Sequence, residues 1–203
     1  MPALLVRLLN AYARHGYRVR TGLNPLYFGD PDASFTRLFD ARGSAVSVGA
    51  GLAPQELHFL ECLFDSDHSP DRVLVVGNAF GWSTIALGML LPHATIVAMD
   101  AGLEGNATTI GADLTRALAG EEQLDVRLVD ALSPRDVTRV VHREFGSKGL
   151  DFVLVDGLHV NEQLSRDFEA AAAHAAPGCV FVLHDVLSWH MVAAFRALPI
   201  GPD

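Results

Sequence analysis

The sequence predicts an α/β protein with a doubly wound, mostly parallel sheet and helices on both faces. Three observations predict it. From residue 72 onward, short β-branched runs alternate with Ala-rich helical stretches through five β–α units. Parallel neighbours require crossover helices, and right-handed crossovers place them on both sides of an open sheet. The run LDFVLVDG (150–157) is apolar almost throughout, as suits a strand covered on both faces.

The elements follow in order. Residues 3–15 form an amphipathic helix with Leu4, Leu5, Leu8, Leu9 and Tyr12 on one face. Residues 21–51, richer in Gly, Pro, Asp and Ser, are loop with short pieces of structure. PQELHFLECLF (54–64) is helical, with Pro54 in the first turn and Leu57, Leu60 and Cys62–Phe64 near a period of 3.6. The first strand is 72–77, its helix 81–91, stopped by Pro92. Strand 94–100 precedes helix 106–120, and strand 124–130 precedes helix 133–146, with Ser133 as N-cap and Pro134 at the first position. Strand 150–157, helix 161–176, strand 177–185 and helix 188–198 complete the series.

Composition bounds the function. The chain has 203 residues, 50% hydrophobic and 19% charged, which excludes a disordered polymer and gives about one domain. A net charge of −9 argues against a broad nucleic-acid surface and against anionic membranes. Cys62 and Cys179 lie in apolar runs without metal spacing, so two buried thiols are expected. No apolar stretch reaches a membrane span, and arginines 7, 14, 18 and 20 interrupt the N-terminus, so no signal peptide is expected and a cytoplasmic location follows by default.

Ligands of such sheets bind beyond the carboxyl ends of the strands, near the switch point. Gly77, Asp100, Asp130, Asp156, His184 and Asp185 fall there. Gly77 and Gly81 permit a tight turn and close backbone approach. Asp100 is placed to accept ribose hydroxyls, and Asp130-Ala131 to meet an adenine. The G-x-G-x-x-G spacing of a dinucleotide cradle is absent, which makes a nicotinamide-dependent oxidoreductase the weakest reading.

Across residues 44–196 the chain resembles the class I S-adenosylmethionine-dependent methyltransferases, a Rossmann-like superfamily. It is most similar to the small-molecule O-methyltransferases of the branch labelled methyltransferase family 24. RVLVVGNAFGWST is similar to that family's VLEIGTGxGxST motif, and VDGLHVNEQLSRDFE to its DGDHSYE segment. The resemblance implies S-adenosylmethionine held by Gly77, Asn78, Ala79, Gly81, Trp82, Ser83, Asp100, Asp130 and Ala131. It also implies a divalent metal, Mg²⁺ or Mn²⁺, on Asp156, His184 and Asp185, with the histidine favouring softer ions. Leu158 occupies the place of the family's acid, leaving His159 as the catalytic base. Trp189 and His190 are placed to face the acceptor. Val75 replaces the acid of the first strand. Ala79 replaces the middle Gly, a change tolerated where its φ stays negative.

The implied partner is a small hydroxylated acceptor, a polyol, sugar or catechol, with no nucleic acid and no membrane. Residues 1–52 form an N-terminal helical and loop segment, whose Tyr17, Tyr27, Phe28 and Phe35 would serve as a lid. Residues 53–203 form the cofactor-binding domain. The superfamily's C-terminal β-hairpin is expected to be absent from this chain, through a fragment, a shortened sheet or a homodimer that covers the edge. The alternative function is a catalytically degenerate binding or scaffold protein of the same fold.

Overall fold

In the computed structural model the chain builds its sheet from the middle outward. The structure describes residues 2–21, 36–46, 51–64, 69–103 and 106–199. The elements are α1 (Pro2–Arg14), β1 (Arg18–Arg20), β2 (Arg37–Phe39), α2 (Pro54–Phe64), β3 (Arg72–Val76), α3 (Trp82–Leu90), β4 (Thr95–Asp100), α4 (Asn106–Glu121), β5 (Val126–Asp130), α5 (Val137–Phe145), β6 (Leu150–Val155), α6 (Asn161–Ala172), β7 (Ala175–Leu183) and α7 (Val192–Ala197). Five parallel strands lie in the order β5-β4-β3-β6-β7. The chain adds β4 and β5 on one side of β3, then returns to add β6 and β7 on the other. The switch point therefore lies between β3 and β6, where such sheets open a crevice.

Alternate residues of each strand point to opposite faces. Val73, Val75, Ile96, Ala98, Phe152 and Leu154 enter one core, packed with Leu57, Leu60, Ile85, Leu87, Leu114 and Leu118 from α2, α3 and α4. Leu74, Val76, Val97, Met99, Val153 and Val155 enter the other, against Val137, Val140, Val141, Leu164 and Ala171 from α5 and α6. Residues 82–89 of α3 are all buried, as befits a central helix that is apolar nearly all round.

One face of α1 packs into the first core. Leu8, Ala11 and Tyr12 are fully buried, and Tyr12 Oη donates to the Phe80 carbonyl at 2.9 Å. Leu4 is buried as well, while Leu5 and Leu9 are partly so. Tyr17 packs against the same core; Tyr27, Phe28 and Phe35 lie outside the described residues. Arg7 and Arg14 reach Glu122 at 2.7 and 2.6 Å, tying α1 to the end of α4.

Several expectations need correction. Helix α5 starts at Val137 rather than 133, with Asp136 at the N-cap position. Ser133 is buried, and its hydroxyl donates to Asp167 at 2.5 Å instead of capping. Strand β7 begins two residues early and α6 ends sooner, because Ala175 already pairs with Leu150. The last helix starts at Val192, since Asp185 and His190 have φ of 58° and 57° and cannot continue a right-handed helix. Strands β1 and β2 form a small antiparallel ladder that sequence periodicity did not show. The thiols are not buried: Cys62 is exposed and Cys179 half-buried. Among the described residues no helix is long and apolar enough to cross a membrane.

Candidate functional site

The turn from Gly77 to Gly81 joins β3 to α3 and is held from three sides. A Cβ on Gly77 (φ 94°) would lie 2.1 Å from the Asp156 carbonyl oxygen, so the turn abuts the backbone just past β6. Gly81 (φ 77°) is pressed equally closely on Thr115 of α4. Asn78 donates to Thr115 Oγ1 at 3.0 Å and accepts from Thr84 Oγ1 at 3.0 Å, so its side chain serves the turn itself. Ala79 has a φ of 44°, so the negative φ under which an alanine is tolerated there is not met. Its left-handed conformation is one that glycine adopts without a Cβ penalty.

Asp100, at the end of β4, accepts the amides of Asn78 (3.1 Å) and Ala79 (3.0 Å) on one oxygen and that of Gly102 (3.0 Å) on the other. It therefore shapes the turn as well as facing the crevice. Asp130 is its Cα partner at the end of β5 and is exposed. Ala131 is buried, and its amide donates to the Asp100 carbonyl at 3.0 Å. Ser83 and Trp82 turn towards Leu52: the Leu52 amide donates to Ser83 Oγ (3.1 Å), and Trp82 Nε1 donates to the Leu52 carbonyl (2.8 Å). Gly51 lies so close that a Cβ there would meet Ser83 Oγ at 2.1 Å and Asp156 Oδ2 at 3.5 Å. The segment before α2 thus closes over both halves of the crevice.

Across the switch point, Asp156 follows β6 while His184 and Asp185 follow β7. The structure brings these three together with His159, and one ligand atom from each lies within 4.8 Å of the others. His184 Nδ1 is 2.9 Å from Asp156 Oδ1 and 3.5 Å from Asp185 Oδ2. His159 Nε2 is 3.4 Å from Asp156 Oδ1 and 3.5 Å from Asp185 Oδ2. The His159 ring stacks on Trp189, with centroids 5.4 Å apart and planes 9° from parallel. His190 is exposed on the following turn.

Burial pushes the Asp156 carboxyl up, but His184 and His159 outweigh it and hold the group below the usual aspartate value. Burial likewise pushes His184 down, yet the negative charge of Asp156, followed by Glu56, pushes it up to about 11. The donor set fits a cation. Two carboxylates and two imidazoles converge, and His159 Nε2 is buried without a hydrogen-bond partner among the described residues.

Sequence reasoning missed Glu56. Its Oε2 accepts the Ala53 amide at 2.6 Å, as a first-turn glutamate does in a capping box, and lies 3.1 Å from His184 Nε2. The first-turn position was visible in the sequence, but the contact across 128 residues was not. Beside this pair a cleft of about 270 Å³ opens between α2 and β7, lined by Leu52, Gln55, Phe59, Leu60 and Val182.

A family model described as a methyltransferase domain matches residues 8–186. Among solved structures, the chain is similar to an O-methyltransferase from Bacillus cereus in complex with SAH, at 20% identity and a TM-score of 0.58, covering 72% of this chain and 68% of that one. It is also similar to the O-methyltransferase TomG from Streptomyces achromogenes, involved in tomaymycin synthesis and solved with SAM. There the identity is 21%, the TM-score 0.56, and the coverage 76% of this chain and 64% of that one. The chain thus spans about two thirds of their length. Identities of this size establish the shared fold. No curated protein matches the chain.

Proposed function

The chain belongs to the methyltransferase-domain family, and on that premise we propose that it transfers the methyl group of S-adenosylmethionine to a hydroxyl of a small molecule. One observation carries the reading: the Gly77–Gly81 turn, Asp100 and Asp130 end three adjacent strands on one side of the switch point, and a cluster of two aspartates and two histidines ends the two strands on the other.

In this reading the turn backbone and the Gly51–Leu52 segment enclose the methionine part of the cofactor. Asp100 holds the ribose: its carboxylate still has acceptor capacity beyond the three amides it serves. Asp130 and Ala131 flank the adenine. Methyl transfer is an in-line displacement at a sulfonium, so the protein's work is to align the acceptor oxygen and remove its proton. The cleft beside His184 and Glu56, of about 270 Å³, is of a size that suits a small acceptor. Asp156, His184 and Asp185 would hold a divalent ion, which when bound supplies Lewis acidity to a hydroxyl. His159 Nε2 has one lone pair for this site, and it serves either the hydroxyl proton or a cation.

One observation favours the non-catalytic alternative: Val75 is fully buried in the core, at the place where the resemblance implies an acid that anchors the cofactor. Calorimetry with S-adenosylmethionine and with NAD tests the proposal, followed by turnover on catechol and polyol probes. Binding of S-adenosylmethionine alone supports it, and Asp100→Ala should then weaken affinity by about 1.5–3 kcal/mol. Binding of NAD, or of neither, overturns it. Binding without turnover of any probe leaves the scaffold reading.

A further inference from the structure

We infer that His159 is a ligand rather than a base. It completes a site of two imidazoles and two carboxylates that selects a transition ion such as Zn²⁺ or Co²⁺ over Mg²⁺, and Glu56 is the outer carboxylate that orients His184. The inference deepens the metal-assisted part of the proposed function and rests on it.

The donor atoms are Asp156 Oδ1, His159 Nε2, His184 Nδ1 and Asp185 Oδ2. Around this ring the neighbours are 3.4, 3.5, 3.5 and 2.9 Å apart. All four atoms lie within 4.8 Å of one another, close enough for one ion to be shared among them. Direct charge-assisted hydrogen bonds between imidazolium and carboxylate would instead contract to about 2.7–2.9 Å. Only one of the four spacings is that short. The other three are longer than such bonds and leave room for an ion between the groups.

His159 has the further mark of a ligand. Its Nε2 is buried and has no hydrogen-bond partner among the described residues, although two carboxylate oxygens lie just beyond bonding range. Stacking on Trp189 fixes the plane of the ring and so the direction of that nitrogen. His184 is oriented from behind. Its Nε2 meets Glu56 Oε2 at 3.1 Å, which leaves Nδ1 to face the other three donors. Glu56 is itself anchored by the Ala53 amide at 2.6 Å. A carboxylate behind a ligating imidazole fixes its tautomer and raises its basicity.

The ion's identity follows from the donors. Mg²⁺ demands near-octahedral oxygen ligation and keeps several waters. Two imidazoles on a compact four-donor site suit Zn²⁺ or Co²⁺. A lone pair committed to the ion cannot accept a proton, so ligation excludes His159 as the general base.

The test uses the full chain, stripped of metal with a chelator and titrated with Co²⁺. One equivalent should bind and produce a visible Co²⁺ absorption band absent from free Co²⁺ in the same buffer. Zn²⁺ should displace it, and a thousandfold excess of Mg²⁺ should not. His159→Gln should lower Co²⁺ affinity at least tenfold and change the spectrum. Glu56→Ala should lower it about 10–100-fold. Thermal unfolding of the metal-free variants checks that each is folded, and the wild-type titration stands without them. The inference is overturned if Co²⁺ does not bind the wild type, if Mg²⁺ displaces it, or if folded His159→Gln binds it unchanged. A parallel S-adenosylmethionine titration separates the two ideas. Cofactor binding without a Co²⁺ site removes this inference alone, and loss of both removes the proposed function as well.

Discussion

Replacing Gly77 by alanine tests how the two halves of the crevice are joined. Gly77 has a φ of 94°, so any side chain there costs about 1–2 kcal/mol of backbone strain. The added Cβ would also lie 2.1 Å from the Asp156 carbonyl oxygen and 2.7 Å from its carbon. Backbone cannot rotate away as a flexible side chain can, so the contact must open by roughly 1 Å, and overpacking of this kind costs about 1–3 kcal/mol more. The sum is about 2–5 kcal/mol. Gly16→Ala is the control: its φ is 80°, but nothing lies within 4 Å of the new Cβ, so only the strain of about 1–2 kcal/mol applies. Urea denaturation of both variants, at unchanged m-value, isolates the clash as the difference between them. Co²⁺ affinity gives a second readout, because displacing the Asp156 backbone moves its carboxylate; Gly77→Ala should weaken it and Gly16→Ala should not. Equal denaturation midpoints and equal metal affinities would refute the argument.

Asp167 is buried and accepts from Ser133 Oγ at 2.5 Å and Gln163 Nε2 at 2.7 Å, so Asp167→Ala should cost about 1–3 kcal/mol by stranding those donors. Burial raises its folded pKa above the unfolded value, so the protein loses stability as pH rises through the carboxylate range; Asp167→Asn keeps an acceptor without a charge, and its stability relative to wild type should grow from pH 3 to about pH 7 in urea melts. Ala79→Gly should relieve about 1–2 kcal/mol of left-handed strain against roughly 0.4–1 kcal/mol of added chain entropy, a net gain of about 0–1.6 kcal/mol measurable as a raised melting temperature. Tyr12→Phe should lower stability by about 1–3 kcal/mol, through the unpaired Phe80 carbonyl, while leaving S-adenosylmethionine affinity unchanged in calorimetry.

The central strands β3, β4 and β6 were legible because each is a short apolar run buried on both faces, and β3, β4, β5 and β6 all fall within two residues of their expected ends. Helix starts were less so, since a Ser-Pro pair signals a cap only when its hydroxyl is free, and Ser133 is claimed by Asp167 thirty-four residues away. Three-residue strands such as β1 and β2 carry too few positions for a period to show. At the site, strand-end acids could be placed by order alone, because a parallel sheet delivers every strand's carboxyl end to one rim. What order could not say is which way a side chain turns. Asn78, Ser83 and Trp82 spend their polar atoms on the turn and on Leu52, whereas His159 turns inward among the carboxylates. Cys62 shows the same limit in the core: an apolar neighbourhood in sequence still placed it on the outer side of α2.

The two sides of the crevice are not independent sites on one rim. The Asp156 amide donates to the Val76 carbonyl at 2.8 Å, one residue before the turn, and the Asp156 carbonyl packs against Gly77. On its other side, the His184 amide donates to the Val155 carbonyl at 3.0 Å. A ladder of main-chain bonds therefore runs from the Gly77 turn through Asp156 to His184, with Gly51 closing over Ser83 and Asp156 from above. For an in-line methyl transfer this matters more than any single contact. The enzyme has little covalent chemistry to perform, and a misplacement of about 1 Å between donor and acceptor can cost on the order of a hundredfold in rate. Side chains alone would set that distance loosely. Backbone hydrogen bonds between adjacent parallel strands set it rigidly, and a glycine at position 77 is what lets the two strand ends approach that closely.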